Sequence, residues 1–167
     1  NVYGVSVDLY PGQVAISPGQ KGQAVVSCPA GSIVTGGGWL HNYPDGGLRV
    51  YNSSKADSGE GWQAWAHNIG SSDKPLQVYA MCLSGSGGAT TQVKKSTDIA
   101  AGTTGFAVPT CGSGSLVTGG GFSIPPLSFH VYSSSGPYSD EWRVYARNTH
   151  ASDTKKLHAY AICLSLP

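Results

Sequence analysis

Groups able to do acid–base or nucleophilic chemistry are few in this chain and scattered. The 167 residues contain nine acidic side chains and five histidines. His41, His67, His130, His150 and His158 fit no His-Glu-x-x-His run, and no Gly-x-Ser-x-Gly elbow is present. Asp140-Glu141 is the only adjacent acidic pair, and neighbours on a strand point to opposite faces. Asp57 and Glu60 fall in a Gly/Ser loop without the spacing of a calcium loop. These residues predict no catalytic centre, no metal site and no cofactor.

Cysteine offers the clearest chemistry. Cys28, Cys82, Cys111 and Cys163 are the only four. Four cysteines allow three connectivities. A zinc site has little support, because no short Cys-x-x-Cys spacing occurs.

The elements that must hold these residues repeat. Val26-Ser27-Cys28-Pro29-Ala30-Gly31-Ser32-Ile33-Val34-Thr35-Gly36-Gly37-Gly38-Trp39 returns as Pro109-Thr110-Cys111-Gly112-Ser113-Gly114-Ser115-Leu116-Val117-Thr118-Gly119-Gly120-Gly121-Phe122. The correspondence runs on through Ile16 with Ile99, Val50-Tyr51 with Val131-Tyr132, Trp62 with Trp142 and Asn68 with Asn148. It ends with Tyr79-Ala80-Met81-Cys82 against Tyr160-Ala161-Ile162-Cys163. A self-match over most of two segments reads as an internal repeat. Of the three cysteine pairings, Cys28–Cys82 with Cys111–Cys163 alone respects it. Closing a loop of that length contributes roughly 4 kcal/mol in the chain-entropy picture. Disulfides place the chain in an oxidising, extracellular setting.

Alternation of apolar residues predicts strands at 13–17, 23–28, 33–40, 48–52, 61–68 and 76–83, with no sustained helical period. Turn residues separate them, including Pro11-Gly12 and Pro44-Asp45-Gly46-Gly47. The predicted fold is all-β, a duplicated antiparallel β-sandwich-like module. It comprises an extra N-terminal strand at 1–12, a first repeat at 13–84, a Gly/Ser-rich connector at 85–96 and a second repeat at 97–167. The halves form either one merged sandwich or two small ones. The triple glycines call for a bulge or a very close backbone.

Strand alternation also sorts faces. Trp62, Ala64 and Ala66 read as core, as do Trp142, Val144 and Ala146. Outward positions keep aromatic rings beside polar or cationic groups: Arg49, Tyr51, Gln63, Trp65 and His67 in the first repeat, and His130, Tyr132, Arg143, Tyr145 and Arg147 in the second. A ring meeting a sugar's C–H face, with donors for its hydroxyls, would make two equivalent carbohydrate sites. The plain alternative is cross-strand packing of these rings. Asn52-Ser53-Ser54 is a glycosylation sequon, read as a strand end.

Composition narrows the partners. Net charge is +1 and only 11% of residues are charged, against roughly 25% in an ordinary domain. That excludes an electrostatic case for nucleic acid or an anionic membrane. No apolar run is long enough for a membrane helix. A start at Asn1 without a leader is read as a mature, secreted chain.

The Cys-Pro-Ala-Gly-Ser-Ile-Val-Thr-Gly-Gly-Gly run, with Trp62-Gln63-Ala64-Trp65-Ala66-His67-Asn68 and Val78-Tyr79-Ala80-Met81-Cys82, resembles a repeat of secreted bacterial proteins of mostly uncharacterised function. The second half departs from it at Gly112, where Pro is usual. The resemblance implies a secreted, disulfide-bonded β module and transfers neither catalytic residues nor a ligand.

Two functional expectations follow. In the first, the protein is a non-catalytic extracellular structural subunit. Val5, Val7 and Leu9 then form a donor strand that completes a neighbour's sheet, and copies of the chain join into a filament. In the second, it is a secreted lectin-like module that holds glycans on its outward aromatics.

Overall fold

The computed structural model describes residues 4–42, 46–136 and 140–167. Residues 1–3 of the N-terminal segment, and Pro44 and Asp45 of the expected turn, lie outside that set. The described residues form twelve strands: β1 (Ser6–Ile16), β2 (Lys21–Ser27), β3 (Ser32–Leu40), β4 (Leu48–Lys55), β5 (Gly61–Asn68), β6 (Lys74–Ser84), β7 (Ala89–Ile99), β8 (Thr104–Ala107), β9 (Leu116–Ser123), β10 (Phe129–Ser135), β11 (Arg143–Asn148) and β12 (Lys155–Ser165). The architecture is all-β, with several antiparallel sheets and sandwich-like packing.

The sheets are ordered β1-β6-β3, β10-β11-β8 and β2-β5-β4-β9-β12-β7. The first half thus supplies β1-β6-β3 and β2-β5-β4. The second supplies β7-β12-β9 and β8-β11-β10, the same strand order. The halves join where β4 pairs with β9, Asn52 opposite Ser123 and Ser53 opposite Phe122.

Each half closes around one tryptophan. Trp62, Ala64 and Ala66 are fully buried with Leu76, Val78 and Ala80, as their alternation predicts. Trp142 packs against the cluster of Ala107, Val144, Ala146 and Ala159. Both indoles donate to a strand serine, Trp62 Nε1 to Ser53 Oγ at 3.0 Å and Trp142 Nε1 to Ser134 Oγ at 2.9 Å. Two buried asparagines repeat the same device. The Asn68 amide donates to the Ile16 and Ser72 carbonyls, and the Asn148 amide to those of Ile99 and Asp153. Buried polar groups persist only when so satisfied. The disulfides are Cys28–Cys82 and Cys111–Cys163. They suit an oxidising, extracellular-type environment.

The glycines have steric reasons. A side chain at Gly37 or Gly120 would collide with the indole of Trp62 or Trp142. Gly36 and Gly119 touch each other, each near the other strand's backbone. Bulges fall beside them, at Thr35 on β3 and at the matching Thr118 on β9, each the extra residue opposite an unbroken partner strand.

Three expectations need correction. Pro11-Gly12 is not a turn: β1 runs straight through it, paired with β6 from Ser6 to Ile16. An edge strand tolerates Pro because one side needs no donor. The N-terminal strand is not an extra element either, because β7 pairs with β12 as β1 pairs with β6. Most of the expected connector is therefore strand, held by an eleven-residue backbone ladder rather than by an apolar pattern. Finally, Asn52 lies within β4, paired on both sides, rather than at a strand end.

Candidate functional site: a paired edge, an open edge and the cleft beside them

The joint between the halves uses one edge of each. On β9, Gly121 leaves room for the Ser53 carbonyl oxygen, with which any side chain would collide. Phe122 is 5% exposed, within a cluster against which Val50 and Tyr51 pack. The Ile124 N–H donates to the Tyr51 carbonyl at 2.9 Å. At the far end of β4, Lys55 Nζ donates to Glu60 Oε1 at 2.7 Å and to Thr90 Oγ1 at 3.2 Å, and the Lys55 N–H donates to Gln92 Oε1 at 3.0 Å. This ties the β4–β5 hairpin to β7.

Among the described residues the corresponding edges have no strand beside them. By the sequence correspondence β3 matches β9 and β10 matches β4, yet each is an end strand of its sheet among the described residues. Space at Gly38 is open to 4 Å. Trp39, the match of Phe122, is 38% exposed, and Leu40 is exposed beside it. Tyr132, the match of half-buried Tyr51, is 60% exposed.

Between these edges lies a cleft of about 470 Å³. Matched residues of the two halves line it: Trp39 and Phe122, His41 and Ile124, Arg49 and His130, Val50 and Val131. Trp39 stacks on His41, with ring centroids 5.3 Å apart. Leu127 also lines the cleft, at φ 61°, a left-handed conformation costing a non-glycine residue roughly 1–2 kcal/mol. The lining is an apolar floor with imidazole, guanidinium and indole groups around it.

The outward residues singled out from sequence divide between places. Arg49, Tyr51 and His130 meet at the cleft. Tyr51 and Trp65 lie 6.4 Å apart and tilted, and burial pushes the Tyr51 hydroxyl up. Gln63 is not an open donor. It is buried and spends its amide on Ser54, Asp57 and the Lys55 carbonyl. His67 is half-buried, with Nε2 3.3 Å from the Gly19 carbonyl. In the second half, His130 stacks on Tyr132 at 6.0 Å, Arg143 pairs with Glu141 and reaches Tyr145, and Arg147 is exposed. The expected two sites are thus not equivalent: the seam part-covers one set and leaves Tyr132 bare. Trp39, His41 and Leu127 escaped the outward-face argument.

Among the described residues no three His, Cys, Asp or Glu side chains could together hold a metal ion. Among the described residues a serine hydroxyl meets an imidazole where Ser96 Oγ lies 2.6 Å from His158 Nδ1, on β7 and β12 and outside the cleft. The His158 pKa is lowered by burial, then by Lys94 and Lys156. No protein-family model matches the chain, and no curated protein matches its sequence.

Proposed function

We propose that this protein is a non-catalytic, secreted structural subunit whose copies join by β-strand addition. The observation that supports this most is the unpaired β3 edge at Gly38–Leu40, matched to the β9 edge that β4 fills. A second copy would offer β10, the match of β4, and cover Trp39 as Val50 and Tyr51 cover the Phe122 cluster. Repeated head to tail, such a contact gives a ring or a filament. The donor is then β10 rather than the N-terminal strand, since Val7 and Leu9 already pair with Leu83 and Met81 of their own chain and Val5 precedes β1. Electron microscopy and light scattering of the purified oxidised protein test the reading. Filaments or discrete oligomers support it; a monomer at millimolar concentration overturns it.

A second reading has its own observation: an exposed indole, Trp39, on a cleft shared with Arg49, His41 and His130. Such an arrangement would suit carbohydrate binding, with one site at the seam. Glycan-array binding lost in Trp39→Ala, with unchanged melting, supports it. The two readings compete for the same ring, so a bound glycan should dissolve any assembly.

A further inference from the structure

This inference rests on the structural-subunit reading but concerns another surface, the outward side of β1. β1 and β7 hold the same place in their halves, with Ile16 matching Ile99. Val7, Leu9 and Pro11 therefore match Thr90, Gln92 and Lys94. In both strands these positions face away from the core that Ile16 and Ile99 enter. On β7 they are polar, as an edge strand's outward face usually is. On β1 they are apolar, and Val7 and Leu9 are each 60% exposed.

The polar version is already a docking surface. Thr90 and Gln92 receive Lys55 from the end of β4, with Glu60 closing the network. The residue matching Lys55 at the end of β10 is Gly136. So a lysine meets threonine and glutamine where the seat is filled. An uncharged backbone position would meet valine and leucine where it is bare.

We infer that Val7 and Leu9 seat the end of β10 of a second copy of this chain, as Thr90 and Gln92 seat the end of β4. The same displacement would bring that copy's β10 onto Gly38–Leu40, so one movement of the partner fills both places. Exposed apolar residues on an edge strand otherwise invite uncontrolled pairing, which a specific partner prevents.

The test is the double variant Val7→Thr with Leu9→Gln, which gives β1 the residues β7 already uses while keeping its ladder to β6. Leu9→Lys serves as a second variant. Sedimentation velocity and thermal melting are run on wild type and both variants. The inference expects wild type to assemble and both variants to associate at least tenfold more weakly, with unchanged melting. Wild-type association retained in both variants overturns the inference and leaves the structural-subunit reading standing. A wild type that stays monomeric overturns the reading itself.

Discussion

The third glycine of each repeat meets two different fates. Gly121 lies under the Ser53 carbonyl, whereas Gly38, in the same motif, looks into open space. The contrast extends along both strands: Phe122 is covered and Trp39 is not, Tyr51 is half-buried and Tyr132 is not. One sequence pattern thus supports a filled edge and an empty edge in one molecule. The covering comes from what pairs with the edge rather than from the pattern. β9 has β4, whereas the same motif on β3 ends its sheet among the described residues.

The largest test of this contrast concerns the indoles beneath each edge. Trp62 is fully buried and donates to Ser53 on the strand that makes the joint. Trp142 does the same for Ser134 on the open strand but is only half-buried. Trp62→Ala should cost about 3–5 kcal/mol, and Trp142→Ala distinctly less. Chemical denaturation of the two variants checks the order. Equal losses would mean that the joint adds nothing to the packing of the first half.

Next come the glycines themselves. Gly121→Val must push β4 away and should cost about 1–3 kcal/mol, as overpacking does. Gly38→Val should change folding stability by no more than about 0.5 kcal/mol, since nothing stands in its way, yet weaken self-association. Melting and light scattering separate the two effects. A large loss of stability in Gly38→Val would show that the edge is occupied within the chain.

The smallest expected effect is a pH dependence on the β7–β12 side. The pKa of His158 is lowered in the folded protein, chiefly by burial. Below about 6.5, the ordinary histidine value, the unfolded chain therefore binds more protons at this position. Stability then falls as pH drops through that window and is fully present above it. His158→Gln should flatten this part of the stability profile, measured by urea titration between about pH 5 and 8.

Much of the scaffold could be read from residues alone. The Gly61–Asn68 strand, its buried Trp62, Ala64 and Ala66, and the pairing of the cysteines all follow from alternation and the repeat. β1 and β7 were less legible for opposite reasons. A Pro-Gly pair looks like a turn even where an edge strand tolerates it. A run such as Thr90-Thr91-Gln92-Val93-Lys94 lacks apolar alternation, although its backbone pairs along the whole of β12. The face of Val7 and Leu9 was misleading too, since apolar side chains usually point inward and these do not. The site was hidden for a non-local reason. The Trp39–Phe122 match was visible, but which of the two is covered depends on β4 meeting β9. Gln63 looked like an open donor because its partners, Ser54 and Asp57, come from outside its own strand.

The central claim is that β10 of one copy pairs with β3 of another as β4 pairs with β9. Asn52 and Ser123 stand opposite each other in that joint, and their matches are Ser133 and Leu40. The most direct measurement is therefore disulfide trapping in the variant carrying Ser133→Cys and Leu40→Cys, read by non-reducing electrophoresis and peptide mapping. The account predicts a ladder of covalent oligomers with the two new cysteines joined between copies. A bond joining them within one chain, or no bond at all, would contradict it.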